Sequence, residues 1–117
     1  MDKLSKLDIE VINTLHELGI AAHLRGYQYI ITAVKQVQEH PDSIHAMTRE
    51  FYPAIADIHG ASDKAVEAGI RHAIFRSKAD DETWLRILGR TGPMSNSEFI
   101  CTLSEAIRIK FALEEVS

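Results

Sequence analysis

A chain of 117 residues has room for one hydrophobic core and not two, and 45% hydrophobic with 26% charged residues is the balance of an ordinary globular protein. A net charge of −4 argues against a general polyanion binder, because sequence-independent DNA affinity comes from phosphate neutralisation by Lys and Arg. One cysteine excludes an internal disulfide framework, no apolar run nears the ~20 residues of a membrane helix, and Met1 to Lys6 lacks a signal peptide's apolar core; a cytoplasmic location with no membrane partner is expected.

Helical spacing recurs along the whole chain, with no strand-like alternation. Leu4, Leu7, Val11, Leu15 and Leu18 mark one face of a first helix, and Gly19 stands where a glycine would end it. After a turn through Ala21, Ala22 and His23, the stripe Tyr27, Ile30, Ile31, Val34 and Val37 predicts a second helix, stopped by Pro41. Ser43 reads as the N-cap of a third helix with Ile44, Met47 and Phe51 inward. Pro53 interrupts that run and can begin a short helix carrying Ile55, Ala56 and Ile58, which ends at Gly60. Ser62 then caps a longer helix with Val66, Ile70, Ala73 and Ile74 inward. Asp80 or Asp81 opens a short helix through Trp84, Leu85 and Leu88, ending at Gly89. Ser95 and Glu98 form a capping box before a last helix through Phe99, Ile100, Leu103, Ile107 and Phe111.

The informative stretch is Tyr52 to Lys78. It lies within residues 44–78, the only third of the chain in which Lys and Arg outnumber Asp and Glu. A short helix, a tight turn at His59, Gly60 and Ala61, and a longer amphipathic helix make the layout of a helix-turn-helix, whose second helix enters the major groove. Burying the aliphatic stripe turns Lys64, Glu67, Ala68, Arg71 and Lys78 outward, with His72 at the margin. Arg71 can pair with guanine O6 and N7, Glu67 can accept from cytosine N4, and Lys64 can meet a phosphate. A solvated amphipathic helix shows the same pattern, so spacing alone does not decide between the two.

Four blocks in this chain resemble the C-terminal DNA-binding effector domain of the sporulation initiation (stage zero) response regulator family. They are Leu18 through Tyr27, Tyr52 through Ala56, Arg71 through Ile74, and Asn96 through Ile100. They fall in the family's order at nearly its spacing, over roughly 12–111. The resemblance implies an all-α, single six-helix domain containing a central helix-turn-helix: one effector domain over 1–117, with its core about 7–112 and the helix-turn-helix about 52–78. It implies double-stranded promoter DNA as partner, a homodimer or tandem pair on DNA, and contact with RNA polymerase. Glu67, Arg71 and His72 match the family in the groove-entering helix and are carried over as DNA contacts. Lys64, Ala68, Lys78 and Arg25 complete the candidate set, Arg25 through a phosphate or a neighbouring domain.

Two departures bear on this. The family usually has arginines where Ala65 and Ala68 stand, and good bidentate contacts discriminate by ~1–3 kcal/mol each, so the family's target sequence does not transfer. Ala68 can instead touch a thymine methyl. Gly69 costs ~1 kcal/mol inside a helix unless close packing requires it. The family's domain also follows a phosphorylated receiver, and no receiver pattern appears in this sequence; an excised domain and a stand-alone relative both remain open. The alternative to DNA binding is a protein-interaction module of the same fold, contacting a regulator or a polymerase subunit.

No enzyme is expected, and no cofactor. The histidines His16, His23, His40, His45, His59 and His72 do not form a zincin-like pattern, and there is no partnering cysteine motif. Cys101 reads as a buried structural thiol, Asp80, Asp81 and Glu82 as a helix start, and Trp84 and Phe99 as core. Tyr27 and Tyr29 can stack on a base, although Tyr27 fits the core stripe better.

Overall fold

The computed structural model describes residues 3–116. Among them every regular element is helical. Six α-helices follow in order: α1 (Lys6–Glu17), α2 (Arg25–Glu39), α3 (Tyr52–His59), α4 (Asp63–Phe75), α5 (Asp81–Leu88) and α6 (Asn96–Val116). Their core is one cluster running through Val11, Leu15, Ile30, Val34, Phe51, Ile55, Val66, Ile70, Phe99 and Leu103, all 0% exposed.

The caps are local chemistry. Ser62 Oγ accepts from Ala65 N at 3.1 Å and opens α4. An Asp80 carboxylate oxygen accepts from Thr83 N at 2.8 Å and opens α5. Ser95 and Glu98 exchange hydrogen bonds at 3.0 and 3.1 Å at the start of α6. Ser5 and Asp8 form a second such box that opens α1. At the other end of α1, Ile20 N donates to Leu15 O and Gly19 N to His16 O, each at 3.0 Å, with Gly19 at φ 68°.

The segment expected as a third α-helix is different. Pro41–His45 form a 3₁₀ turn and Met47–Phe51 a π turn that runs directly into α3. Ser43 caps nothing, because its hydroxyl donates back to His40 O at 2.7 Å. Ala46 leaves helical geometry at φ −133°, ψ 59°, and its carbonyl then accepts from both Glu50 N and Phe51 N. The six remaining α-helices are the number the family resemblance implies.

Some expected inward positions face solvent. Leu4 precedes the cap Ser5 and is exposed. Leu85 is exposed because α5 buries Trp84 and Leu88, one turn apart. Ile58 is exposed because His59 takes the place beside α2, edge-on to Tyr29 at 5.1 Å and hydrogen-bonded to Thr32 at 2.7 Å. Cys101, expected to be buried, is exposed on α6 beside a groove lined by Ile87, Leu88, Ala106 and Ile109. Partial burial pushes its thiol pKa up, which leaves less thiolate at neutral pH. Trp84 and Phe99 are core, with ring centroids 5.8 Å apart.

Candidate nucleic-acid interface

The position of α4 is set by a pair of glycines. A Cβ on Gly26 would meet Gly69 O at 2.0 Å and Ala73 Cβ at 2.7 Å. A Cβ on Gly69 would meet the Tyr29 ring at 2.9 Å. The backbones of α2 and α4 therefore touch where they cross, which explains a glycine in the middle of a capped helix. α4 packs most extensively against α2, then against α3.

The two ends of α4 are fixed separately. At its start, the turn 60–62 links it to α3: Gly60 adopts φ 61°, and Ala61 N donates to Ala56 O at 3.0 Å. At its end, Ser77 Oγ donates to Leu18 O at 2.5 Å and accepts from Trp84 Nε1 at 3.2 Å. Lys78 N donates to Gly19 O at 3.2 Å. These bonds pull the chain away from the helix axis, so α4 stops at Phe75 and not at Lys78. Lys78 is exposed, but it lies beyond the helix on which spacing had placed it.

Asn96 adds a lateral clamp. This buried amide donates to the Glu67 carbonyl and to the Tyr52 hydroxyl, each at 3.0 Å, tying the first turn of α6 to α4 and α3. Burial pushes the Tyr52 phenol pKa up, against the Asn96 hydrogen bond that lowers it, so the phenol stays neutral at physiological pH. Sequence reading placed Asn96 in a family block but gave it no role. The Ser95–Glu98 box was the available signal, since it fixes Asn96 as the first helical residue.

Locked on three sides, α4 turns its remaining face to solvent. Lys64, Ala65, Glu67, Ala68, Arg71, His72 and Phe75 are all exposed. Glu67 and Arg71 point outward with side chains 50% and 65% exposed, and they pair with each other at 3.2 Å. Such an exposed i,i+4 pair is worth only ~0.3–0.5 kcal/mol, so it aligns the two groups and yields easily to better partners. Arg25 begins α2 next to the glycine crossing and is also exposed. Of the candidate set, Lys64, Glu67, Ala68, Arg71 and His72 share α4, while Arg25 and Lys78 lie outside it. Tyr27 and Tyr29, considered for base stacking, are 7% and 4% exposed and belong to the core. Phe75 was missed, although it stands one turn beyond Arg71.

Among the described residues no group of three or more His, Cys, Asp or Glu side chains is placed to hold a metal ion. No helix among them is long and apolar enough to cross a membrane.

The family model for the sporulation initiation factor Spo0A C terminal matches residues 11–107 of this 117-residue chain. The chain belongs to that family. The family is one of DNA-binding regulatory domains rather than of enzymes. The match begins inside α1 and ends within α6 at Ile107, the last buried residue of that helix. It takes in the α2–α4 crossing, the turn 60–62 and the Asn96 clamp. The Spo0A-type core is thus the part of the chain that holds α4 in place.

Proposed function

We propose that this chain is a sequence-specific DNA-binding transcription regulator, with α4 as the helix that enters the major groove of promoter DNA. The whole chain, 1–117, acts as one effector domain with its core about 7–112. The observation that carries the reading is the outward, mutually aligned Glu67–Arg71 pair on the second helix of a helix–turn–helix arrangement, in a chain of a DNA-binding family. A C·G pair displays guanine O6 and N7 beside cytosine N4 in the major groove, which suits an arginine and a carboxylate held side by side. Lys64 in the first turn of α4, Arg25 at the start of α2, His72, and Lys78 beyond α4 hold the backbone. Ser62 leaves the free N–H groups of the α4 N-terminus beside the same path, and such groups favour phosphate. The domain acts in the cytoplasm without catalysis or cofactor, binds as a pair on DNA, and contacts RNA polymerase.

The test is binding to a pool of random duplexes at stated salt, with variants measured on the enriched sequence. Arg71→Ala is expected to weaken the specific complex and relax one base position. Lys64→Ala is expected to weaken all sequences alike and to lower the salt slope by about one. Equal losses on every sequence from both substitutions would contradict these roles. The net charge of −4 and the alanines at 65 and 68 favour a second reading, a protein-interaction module that has lost DNA. Absence of any duplex binding at low salt, with retained binding to a polymerase subunit or a full-length regulator, would select it.

A further inference from the structure

The outer face of α4 is not uniformly charged. Phe75 is 83% exposed. Ala68 stands two turns before it, in line along the helix, with Arg71 and His72 on either side. Together these residues line a surface depression of about 420 Å³, with Ala68 as its small member and Phe75 as an apolar wall at one end. Phe75 also walls a second depression with Ile74, Trp84, Pro93 and Met94. The Ala68–Phe75 strip is flanked by an arginine, which suits a polyanion, and lies on the helix already assigned to the groove.

We propose that Ala68 and Phe75 read the C5-methyl groups of two thymines that flank the base pair contacted by Arg71. The inference rests on the DNA-binding reading above and extends it to the composition of the element. The major groove offers one apolar feature, the thymine methyl, and alanine and phenylalanine side chains recognise it by contact. The two side chains are about 10.5 Å apart along the axis at ~1.5 Å per residue. A helix lying in the groove is inclined to the duplex axis, so that distance covers at most about three base-pair steps at ~3.4 Å each. The preferred element therefore carries two thymines no more than about three steps apart, on either strand, with a G·C pair between them. Alanine at position 68 then offers a methyl-sized contact and leaves room for the base edge to approach.

The experiment replaces each thymine of the best duplex from the random pool, one at a time, with deoxyuridine, which lacks only the methyl. Affinities are measured for the wild-type chain, Phe75→Ala and Phe75→Leu, with thermal unfolding of each protein as control. Phe75 is outside the core, so the variants are expected to unfold with the wild type. The wild type is expected to lose about fourfold in affinity at each of two positions, the value for losing one buried methyl-sized group. Phe75→Ala is expected to become indifferent to the methyl at one of them and to keep its response at the other, while Phe75→Leu keeps both. Sequence-specific binding that is indifferent to every methyl would overturn the inference and leave the regulator reading standing. Undiminished methyl sensitivity in Phe75→Ala would also overturn it. Failure of the wild type to bind any duplex would overturn both.

Discussion

The two faces of α4 obey different rules. The inner face is a backbone contact: Gly69 and Gly26 meet with no space for a methyl group, and Val66, Ile70 and Ala73 are 0% exposed. The outer face carries two alanines, an ion pair, a histidine and a phenyl ring, none of which the fold uses. In a helix held this rigidly by one side, the other side is free to vary in chemistry without moving. The alanines at 65 and 68 therefore bear on what the helix can touch and not on where it sits.

Substitutions can break that contrast. The largest effect is expected from Gly26→Ala, whose Cβ would stand 2.0 Å from the Gly69 carbonyl oxygen, part of a backbone that cannot step aside. A loss of about 3 kcal/mol or more, read by urea unfolding, is expected; a change below about 1 kcal/mol would mean that the crossing is not tight. Asn96→Ala comes next. It leaves the Glu67 carbonyl and the Tyr52 hydroxyl without their buried partner, for about 2 kcal/mol. Gly69→Ala should cost less, about 1 kcal/mol, because the tyrosine ring at 2.9 Å can tilt and alanine regains helix propensity. Phe75→Ala and Arg71→Ala should change stability by no more than about 0.5 kcal/mol, since both side chains lie in solvent. A large loss of stability from either would merge the two faces and end the distinction.

Acid sharpens the separation from another side. Burial raises the Asp8 pKa, but hydrogen bonds from Lys35 and Ser5 and the Lys35 charge outweigh it, and the net shift is downward from the ordinary value of 3.8. A depressed folded-state pKa contributes stability that is fully present above the ordinary value and is lost as pH falls through the folded one. Asp8→Asn is thus expected to be less stable than the wild type at neutral pH, with the gap closing below about pH 3.8. Asp8 bonds to Ser5 at the cap of its own helix and to Lys35 of α2, so DNA affinity at neutral pH should not follow it.

Much of this was legible in the sequence, for physical reasons that differ by residue. The caps Ser62 and Ser95 were readable, and the start of α5 was narrowed to Asp80 or Asp81, because capping is a contact between residues three apart. The buried stripes of α2 and α4 were readable from their 3.6-residue period. Residues 41–51 were not, since Ser43 has two ways to use its hydroxyl and the sequence does not say which wins. Lys78 was misplaced because the end of α4 is decided by Leu18 and Gly19, far away in the chain. Cys101 was misplaced by one step around the helix, beside the buried Ile100. Gly69 was recognised as an oddity, but its partner Gly26 is a tertiary fact. Phe75 was within reach of the helical period and was hidden by carrying the helix on to Lys78.

The most direct test is a titration of the isotopically labelled chain with its best duplex, following backbone amide shifts residue by residue. The account expects the largest changes along the exposed face of α4, from Lys64 to Phe75, and at Arg25, with the groove between α5 and α6 unmoved. Changes centred on Cys101, Ala106 and Ile109 with α4 silent would contradict it.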